Sequence, residues 1–189
     1  MTKPYEKQKP GVKNSLFETI KLILFAVILA AVLKGFIVDS RVIPSLSMYP
    51  TIDTSDRVIV NKLAYLGENN QPKHGDIVVF RPPAEMLEDD DLIKRVIGIP
   101  GDILEVADGI LYINGVAQEE PYLYEAMNYQ WGPIKVPEDC FVMMGDNRNH
   151  SNDAHLWANP FITEEGIVGR ATYRYWPLSR FGAIDDWKE

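Results

Sequence analysis

The chain has 189 residues, of which 46% are hydrophobic, and it carries a formal net charge of −8. This acidic balance argues against a nucleic-acid partner, because nucleic-acid-binding proteins usually present a basic face. The single cysteine, Cys140, excludes an intrachain disulfide. The length suits one globular domain of about 150 residues beside an apolar anchor.

An apolar segment lies near the N-terminus. Residues 22–33 are apolar without interruption, and the segment covers Leu16–Val38 if Glu18, Lys21 and Lys34 lie near its ends. At ~1.5 Å per residue, a helix of this length crosses the hydrocarbon core of a bilayer. The apolar centre alone would also suit a cleavable signal peptide. No small-x-small cleavage site follows it cleanly, so we expect an uncleaved anchor.

The charges ahead of the anchor predict its orientation. Four lysines stand against one acid in this region: Lys3, Lys7, Lys9 and Lys13, and Glu6. Such an excess predicts a cytoplasmic N-terminus and an extracytoplasmic remainder. We therefore expect a cytoplasmic tail over residues 1–15, a transmembrane anchor over 16–38 and a catalytic domain over 39–189.

From residue 56 the pattern becomes that of short β-strands. β-branched runs end at glycine or proline, and turn signals stand at 107–109 and 114–115. No amphipathic helix is expected after residue 40, and loops are predicted at 64–75, 82–91 and 116–138. The sequence therefore predicts a mainly β domain. The predicted strands are Arg57–Lys62, Asp76–Arg81, Leu92–Ile99, Ile103–Val106, Ile110–Ile113, Cys140–Met144 and Ile167–Trp176.

Two serines lie in a stiff segment shortly after the anchor. The segment reads Ile43-Pro44-Ser45-Leu46-Ser47-Met48-Tyr49-Pro50-Thr51. Each proline fixes its own φ and favours an extended residue before it, so a hydroxyl here has little entropy to lose. Taken alone, the segment could equally be a polar loop behind a membrane anchor.

A base is needed to activate a serine hydroxyl, and Lys94 is the best candidate. Strand alternation places Lys94 on one face with Leu92 and Val96. Desolvation on an apolar face lowers the pKa of a lysine and favours the neutral amine, which can accept a proton. An ordinary edge-strand lysine is the simpler interpretation of Lys94 alone. A Ser-His-Asp triad is a weaker alternative, since the Gly-x-Ser-x-Gly turn is absent.

These segments resemble the bacterial type I signal peptidases, of a cyanobacterial-like type, which are membrane-anchored Ser/Lys proteases that remove signal peptides from exported preproteins. The serine segment 43–51 resembles their nucleophile box, and Lys94–Asp102 resembles their general-base box. A third match runs over Met144–Asp153 and is followed by Gly169-Arg170-Ala171. The three boxes occur in the family's order, and that combination is specific.

The resemblance implies a fold, a location and a role for each matched residue. The fold would be a β-barrel or coiled-sheet catalytic domain with one N-terminal transmembrane helix. The protein would lie in the cell membrane or a thylakoid membrane, in contact with lipid, and would need no metal or other cofactor. The implied roles are nucleophile, Ser47; general base, Lys94; oxyanion contacts, Ser45 and Ser47; lysine orientation, Ser151 and Asp153; and shallow substrate pockets, Ile43 and Ile93.

Some features depart from the family pattern and keep alternatives open. Asp153-Ala154-His155 stands where many members carry Asp-Ser-Arg or Asp-Ser-His. Two alternative functions stay open: an inactive, membrane-tethered β-domain that binds a partner, and a self-cleaving Ser/Lys regulator.

The segment Gly145–Arg148 is expected to form a tight turn whose Asp146 and Asn147 side chains cap their own backbone.

Overall fold

The computed structural model describes residues 12–67, 70–83, 86 and 90–184. The chain divides into two compact units at Ile37 and Val38. Some residues used in the sequence analysis lie outside the described part of the chain, namely Lys3, Glu6, Lys7, Lys9 and parts of the loops predicted at 64–75 and 82–91.

The described part of the first unit is a helix. The helix, α1, covers Val12–Val32 and continues as a π-helical turn over Leu33–Ile37. The 22 residues from Leu16 to Ile37 are long and apolar enough to cross a membrane, by length and composition. The side chains of residues 16–32 are exposed all round the helix. An apolar surface of this kind is stable where lipid, rather than water, surrounds it.

The described residues of the second unit form two antiparallel sheets. The strands are β1 (Val38–Val42), β2 (Arg57–Asn61), β3 (Ile77–Phe80), β4 (Leu92–Gly98), β5 (Ile103–Ala107), β6 (Ile110–Ile113), β7 (Val116–Ala117), β8 (Trp131–Lys135), β9 (Cys140–Met144), β10 (Phe161–Thr163), β11 (Ile167–Trp176) and β12 (Gly182–Ala183). The larger sheet has the order β1-β2-β11-β3-β4-β9-β10, with β12 paired to β11, and the smaller sheet has the order β7-β6-β5-β8.

Three neighbouring strands of the larger sheet, β3, β4 and β9, are buried on both faces. Apolar side chains run almost continuously along them, as expected for strands covered on two sides. Strand β4 is the exception, because it carries Lys94 and Arg95 into the interior. Buried charges are costly unless they are paired and hydrogen-bonded. The position of β4 therefore requires specific polar partners for these two side chains.

The predicted mainly β fold is confirmed. The seven predicted strands are present, each within one residue of its expected ends. Both turn signals form two-residue hairpin turns: φ is 52° and 80° at Asp108 and Gly109, and 53° and 80° at Asn114 and Gly115. Positive φ at both central residues is what the tightest hairpin turns require. After residue 40, the described residues contain short 3₁₀ turns and no α-helix, as the sequence predicted.

The prediction of a loop over residues 116–138 is wrong in part, because this segment contains β7 and β8. Strand β8 includes Gly132 and Pro133, two residues that are depleted in strands, so its sequence gives little strand signal. Strands β1, β10 and β12 were also not predicted. The first of these begins at Val38, which the sequence interpretation assigned to the anchor.

The burial of Phe141 on β9 gives a test of the core. Phe141 is fully buried, whereas Phe181 is 65% exposed. Phe141→Ala should lower the free energy of unfolding by about 3–5 kcal/mol, through lost burial and a residual cavity. The matched control Phe181→Ala should change it by no more than about 0.5 kcal/mol. Denaturant titration of the full chain in detergent micelles, followed by tryptophan fluorescence, measures the free energy of unfolding of both variants. Equal losses in the two variants would contradict the placement of Phe141 in the core.

Candidate active site

The serine segment forms a compact turn between β1 and β2. The backbone of Ile43 makes two hydrogen bonds with residues just before β2. Its N–H donates to Asp56 O at 2.9 Å, and its carbonyl oxygen accepts from Ser55 N–H at 2.9 Å. Beyond the serines, Met48 and Ile52 are fully buried in the core. These contacts fix the backbone on both sides of Ser47, so its hydroxyl has a defined position.

Lys94 and Ser47 meet in the interior. Lys94 Nζ lies 2.7 Å from Ser47 Oγ, and the two residues are 3% and 7% exposed. Ser45 Oγ lies 3.3 Å from Ser47 Oγ. The structure thus brings together three side chains that the sequence singled out.

An amine within hydrogen-bond reach of a serine hydroxyl is the arrangement of a nucleophile and its base. The histidine alternative receives no support here, because His74 Nε2 lies 2.7 Å from Asp102 Oδ2 and Ser47 is bonded to Lys94 instead. The contact places Ser47 and Lys94 where a serine nucleophile and its base would lie.

Arg95, the residue after the candidate base, forms a fully buried ion pair with Asp146. Arg95 Nε donates to Asp146 Oδ1 at 2.8 Å, and Nη2 donates to Oδ2 at 2.7 Å. Nη1 donates to the carbonyl oxygen of Gly75 at 2.8 Å, and the guanidinium lies 3.9 Å from the centre of the Tyr122 ring. Burial alone would lower the pKa of Arg95, but the Asp146 carboxylate raises it overall. The side chain therefore stays charged and fully paired.

The segment Gly145–Arg148 is a turn, but the prediction that its side chains cap their own backbone is wrong. Asp146 accepts a hydrogen bond from Thr51 as well as from Arg95. Asn147 donates through its backbone N–H to Ser47 O at 3.0 Å and through Nδ2 to Leu46 O at 3.1 Å. The turn reaches across to the serine segment and fixes it from a distant part of the chain.

Gly145 permits this close approach. A Cβ at position 145 would collide with the carbonyl oxygen of Ser47 and with Oγ of Ser151. The backbone N–H of Gly145 donates to Asp153 Oδ2 at 2.8 Å. Only glycine leaves room for this close approach, and the hydrogen bond to Asp153 fixes the orientation of the Gly145 N–H.

The two residues expected to orient the lysine have different surroundings. Ser151 Oγ is buried next to Gly145 and makes no hydrogen bond with any described residue. Asp153 Oδ1 lies 2.7 Å from His155 Nδ1, while its other oxygen accepts from Gly145. Asp153 thus acts on the turn beside Ser47. The orienting roles of both residues stay predictions.

A second buried ion pair, which the sequence analysis missed, supports the same turn. Arg148 Nη2 donates to Glu120 Oε1 at 2.6 Å, and Arg148 Nε donates to Gly145 O at 3.1 Å. Tyr122 also donates to Glu120 Oε1, at 2.6 Å. Burial lowers the pKa of Arg148, but the nearby Glu120 carboxylate raises it overall. The available sequence signal was an arginine four residues after the end of an apolar strand, because an arginine that becomes buried there needs an acidic partner.

Ile43 and Ile93, the predicted pocket residues, belong to one apolar cluster with Met48 and are both buried. They lie on the two chain segments that carry Ser47 and Lys94. Their contact with a substrate stays a prediction.

Comparisons with known proteins agree with this arrangement. A family profile described as "Signal peptidase, peptidase S26" matches residues 16–176. Signal peptidase I of Leptolyngbya laminosa is 42% identical over 181 residues, which cover 93% of this chain and 87% of that protein. Probable signal peptidase I-2 of Synechocystis sp. is 40% identical over 184 residues, 96% of this chain and 83% of that protein. Thylakoidal processing peptidase 1 of Arabidopsis thaliana is 39% identical over 171 residues, 86% of this chain and 49% of that protein.

The chain therefore belongs to the signal peptidase family, peptidase S26. Membership supports peptidase activity, and it agrees with the resemblance drawn from the three sequence boxes.

The tight contact at Gly145 gives a prediction for activity. Gly145→Ala should displace Ser47 relative to Lys94, and a shift of about 1 Å can cost about 10²-fold in rate. We expect a loss of this order in kcat/KM for a preprotein substrate. The control Gly115→Ala adds a Cβ that meets nothing within 4 Å, in a turn with the positive φ of 80°. It should lower stability by about 1–2 kcal/mol and leave kcat/KM unchanged. Equal kcat/KM values for the two variants would refute the conclusion that the site requires glycine at position 145.

Proposed function

We propose that this protein is a membrane-anchored serine endopeptidase that removes N-terminal signal peptides from exported preproteins, using a Ser47/Lys94 dyad and cleaving after a small residue. The observation that carries the proposal is the 2.7 Å contact between Lys94 Nζ and Ser47 Oγ in a buried site. Family membership supports the substrate class.

In the proposed mechanism, Ser47 Oγ attacks the carbonyl carbon of the scissile peptide bond while Lys94 Nζ accepts the hydroxyl proton. The tetrahedral oxyanion receives hydrogen bonds from the Ser47 backbone N–H and the Ser45 hydroxyl. Lys94 then returns the proton to the leaving amine, which leaves an ester on Ser47. Water attacks this ester while Lys94 accepts one of its protons. Lys94 then passes that proton to Ser47 Oγ as the ester bond breaks, which releases the signal peptide with a free carboxylate end and restores Ser47.

The sheet offers an open edge for the substrate next to this dyad. Strand β4 pairs with β3 from Leu92 to Arg95, but its pairing with β9 begins only at Arg95. The edge of residues 92–94 that faces away from β3 is therefore unpaired among the described strands. An extended substrate can add a strand here, alongside residues 43–47. Ile43 and Ile93 would then limit the first and third residues before the scissile bond to small side chains.

The proposed location follows from the anchor and the charges before it. The helix suited to a membrane ends at Ile37, and the first strand of the sheet begins at Val38. The lysine excess in residues 1–15 favours a cytoplasmic tail, so the catalytic domain would lie outside the cytoplasm. The relatives include a thylakoidal peptidase as well as bacterial signal peptidases, so the cell membrane and a thylakoid membrane are both compatible locations.

The two serines should differ in their effects. Ser47→Ala should abolish cleavage of a preprotein substrate by the purified protein. Ser45→Ala should lower kcat by ~10²–10³-fold with KM little changed, because an oxyanion donor acts mainly in the transition state. Steady-state kinetics measures both variants. If Ser45→Ala is as inactive as Ser47→Ala, or is unaffected, its oxyanion role is wrong.

The base is tested by Lys94→Arg, because a guanidinium stays protonated and cannot accept the serine proton. This variant should fold normally and keep less than a few per cent of activity. The control Lys135→Arg, at an exposed position on β8, should remain fully active. Substantial cleavage by Lys94→Arg would remove Lys94 from the mechanism.

A further inference from the structure

The side chain of Asn147 holds the peptide unit that joins Leu46 to Ser47. Its Nδ2 donates to the carbonyl oxygen of Leu46 at 3.1 Å. The same oxygen accepts a hydrogen bond from the backbone N–H of Tyr49 at 3.0 Å. Asn147 is 6% exposed, so its contact is shielded from water. Two donors, one of them from a distant part of the chain, therefore fix the direction in which the Leu46 carbonyl group points.

The other end of this peptide unit carries the backbone N–H of Ser47. The unit is trans and planar, so its C=O and N–H groups point in opposite directions. A carbonyl oxygen held on the side of Asn147 therefore directs the Ser47 N–H to the opposite side. That N–H donates to none of the described residues, and it is left available for an oxygen atom of the substrate.

We propose that Asn147 is a positioning residue for the oxyanion site, acting through the Leu46–Ser47 peptide unit. This inference rests on the proposed function, in which the Ser47 N–H donates to the oxyanion. If the peptide unit turned over, the carbonyl oxygen of Leu46 would face the developing negative charge in place of the N–H. The hydrogen bond from Nδ2 opposes this rotation, because rotation would leave the buried amide without an acceptor.

Stability alone does not account for an asparagine at position 147. Its other amide atom, Oδ1, is buried and has no hydrogen-bond partner among the described residues. A buried polar atom without a partner costs at least as much free energy as one ordinary hydrogen bond contributes. The side chain therefore gains little for the fold from its contact with Leu46, whereas the orientation of the peptide unit gains a defined donor.

A side-chain substitution at position 147 spares the other contacts of the site. The backbone N–H of Asn147 donates to Ser47 O at 3.0 Å, whatever its side chain is. The contact between Lys94 Nζ and Ser47 Oγ does not involve the Asn147 side chain. Loss of Nδ2 should therefore weaken the oxyanion site while the nucleophile and its base stay in contact.

The test uses two synthetic peptide substrates that differ in one atom, the oxygen or sulfur of the scissile carbonyl group. Sulfur accepts hydrogen bonds more weakly than oxygen, so the sulfur substrate gains less from the donors of the oxyanion site. The full chain in detergent micelles is assayed with both substrates, and steady-state kinetics gives kcat and KM for each. The ratio of the two kcat values measures how strongly these donors act.

Asn147→Ala should lower kcat for the oxygen substrate by about tenfold, the upper value of one ordinary hydrogen bond, with KM little changed. The loss is smaller than that expected for Ser45→Ala, because the Tyr49 N–H still holds the Leu46 oxygen. The kcat for the sulfur substrate should fall by no more than about twofold. The ratio of oxygen to sulfur cleavage should therefore fall.

A variant of the same size and a control in the same turn accompany this one. Asn147→Asp replaces the Nδ2 donor with a carboxylate oxygen that repels the Leu46 carbonyl group, and its ratio should fall at least as far. It gives the result if denaturant titration shows that Asn147→Ala is not folded. Asn149→Ala removes an amide that binds Glu125 and the carbonyl oxygen of Ala126 instead, and it should leave kcat and the ratio unchanged.

Gly145→Ala provides a contrast between two causes of lost activity. Its Cβ should displace Ser47 relative to Lys94, which slows attack on both substrates alike. The ratio of oxygen to sulfur cleavage should therefore keep its wild-type value in this variant.

Each outcome has one interpretation. An unchanged kcat in both Asn147 variants, or a loss that is equal for the oxygen and sulfur substrates, would overturn the positioning role and leave the dyad intact. Cleavage that persists in Ser47→Ala would instead overturn the proposed function. A ratio that falls in the Asn147 variants but not in Asn149→Ala or Gly145→Ala would support the positioning role.

Discussion

The buried ion pair between Arg95 and Asp146 is the interaction on which the arrangement of Ser47 and Lys94 depends. Arg95 directly follows Lys94 on β4, and Asp146 directly precedes Asn147, whose N–H binds the carbonyl oxygen of Ser47. Asp146 also accepts a hydrogen bond from Thr51, beyond Ser47 in the serine segment. One carboxylate thus links the strand that carries Lys94 to the segment that carries Ser47. Removing either partner of such a pair leaves an uncompensated buried charge, which typically costs about 3–5 kcal/mol.

A second pair extends this constraint to the smaller sheet. Glu120 lies just beyond β7 and binds Arg148, which in turn donates to the carbonyl oxygen of Gly145. Tyr122 joins the two pairs, because its hydroxyl binds Glu120 and its ring faces Arg95. The four charged groups, two cations and two anions, balance one another. The turn at Gly145 is therefore fixed from both sheets, and alternative positions for it would separate buried charges.

The sequence predicted which residues belong to this site better than it predicted which of them contact one another. Ser47 and Lys94 were identified because a stiff serine segment and a strand lysine on an apolar face suggest chemistry, and the family resemblance supplied the pairing. Alternation indicates which face of a strand a residue lies on, but not which distant residue meets it. The partner of Arg95 could not be found for this reason, and Asp146 was taken for a local capping residue. Turn chemistry was more informative, since Asn114-Gly115 specifies its hairpin through backbone geometry alone.

The departure at Ala154 gains an explanation from the packing around it. Ala154 is fully buried among Leu104, Val136 and Val142, where a serine hydroxyl would need a hydrogen-bond partner. Asp153 beside it keeps both of its roles as an acceptor, one toward the Gly145 N–H and one toward His155. His155 in turn stacks on Tyr129, with ring centres 4.1 Å apart. The changed residues therefore preserve the support of the turn behind Ser47.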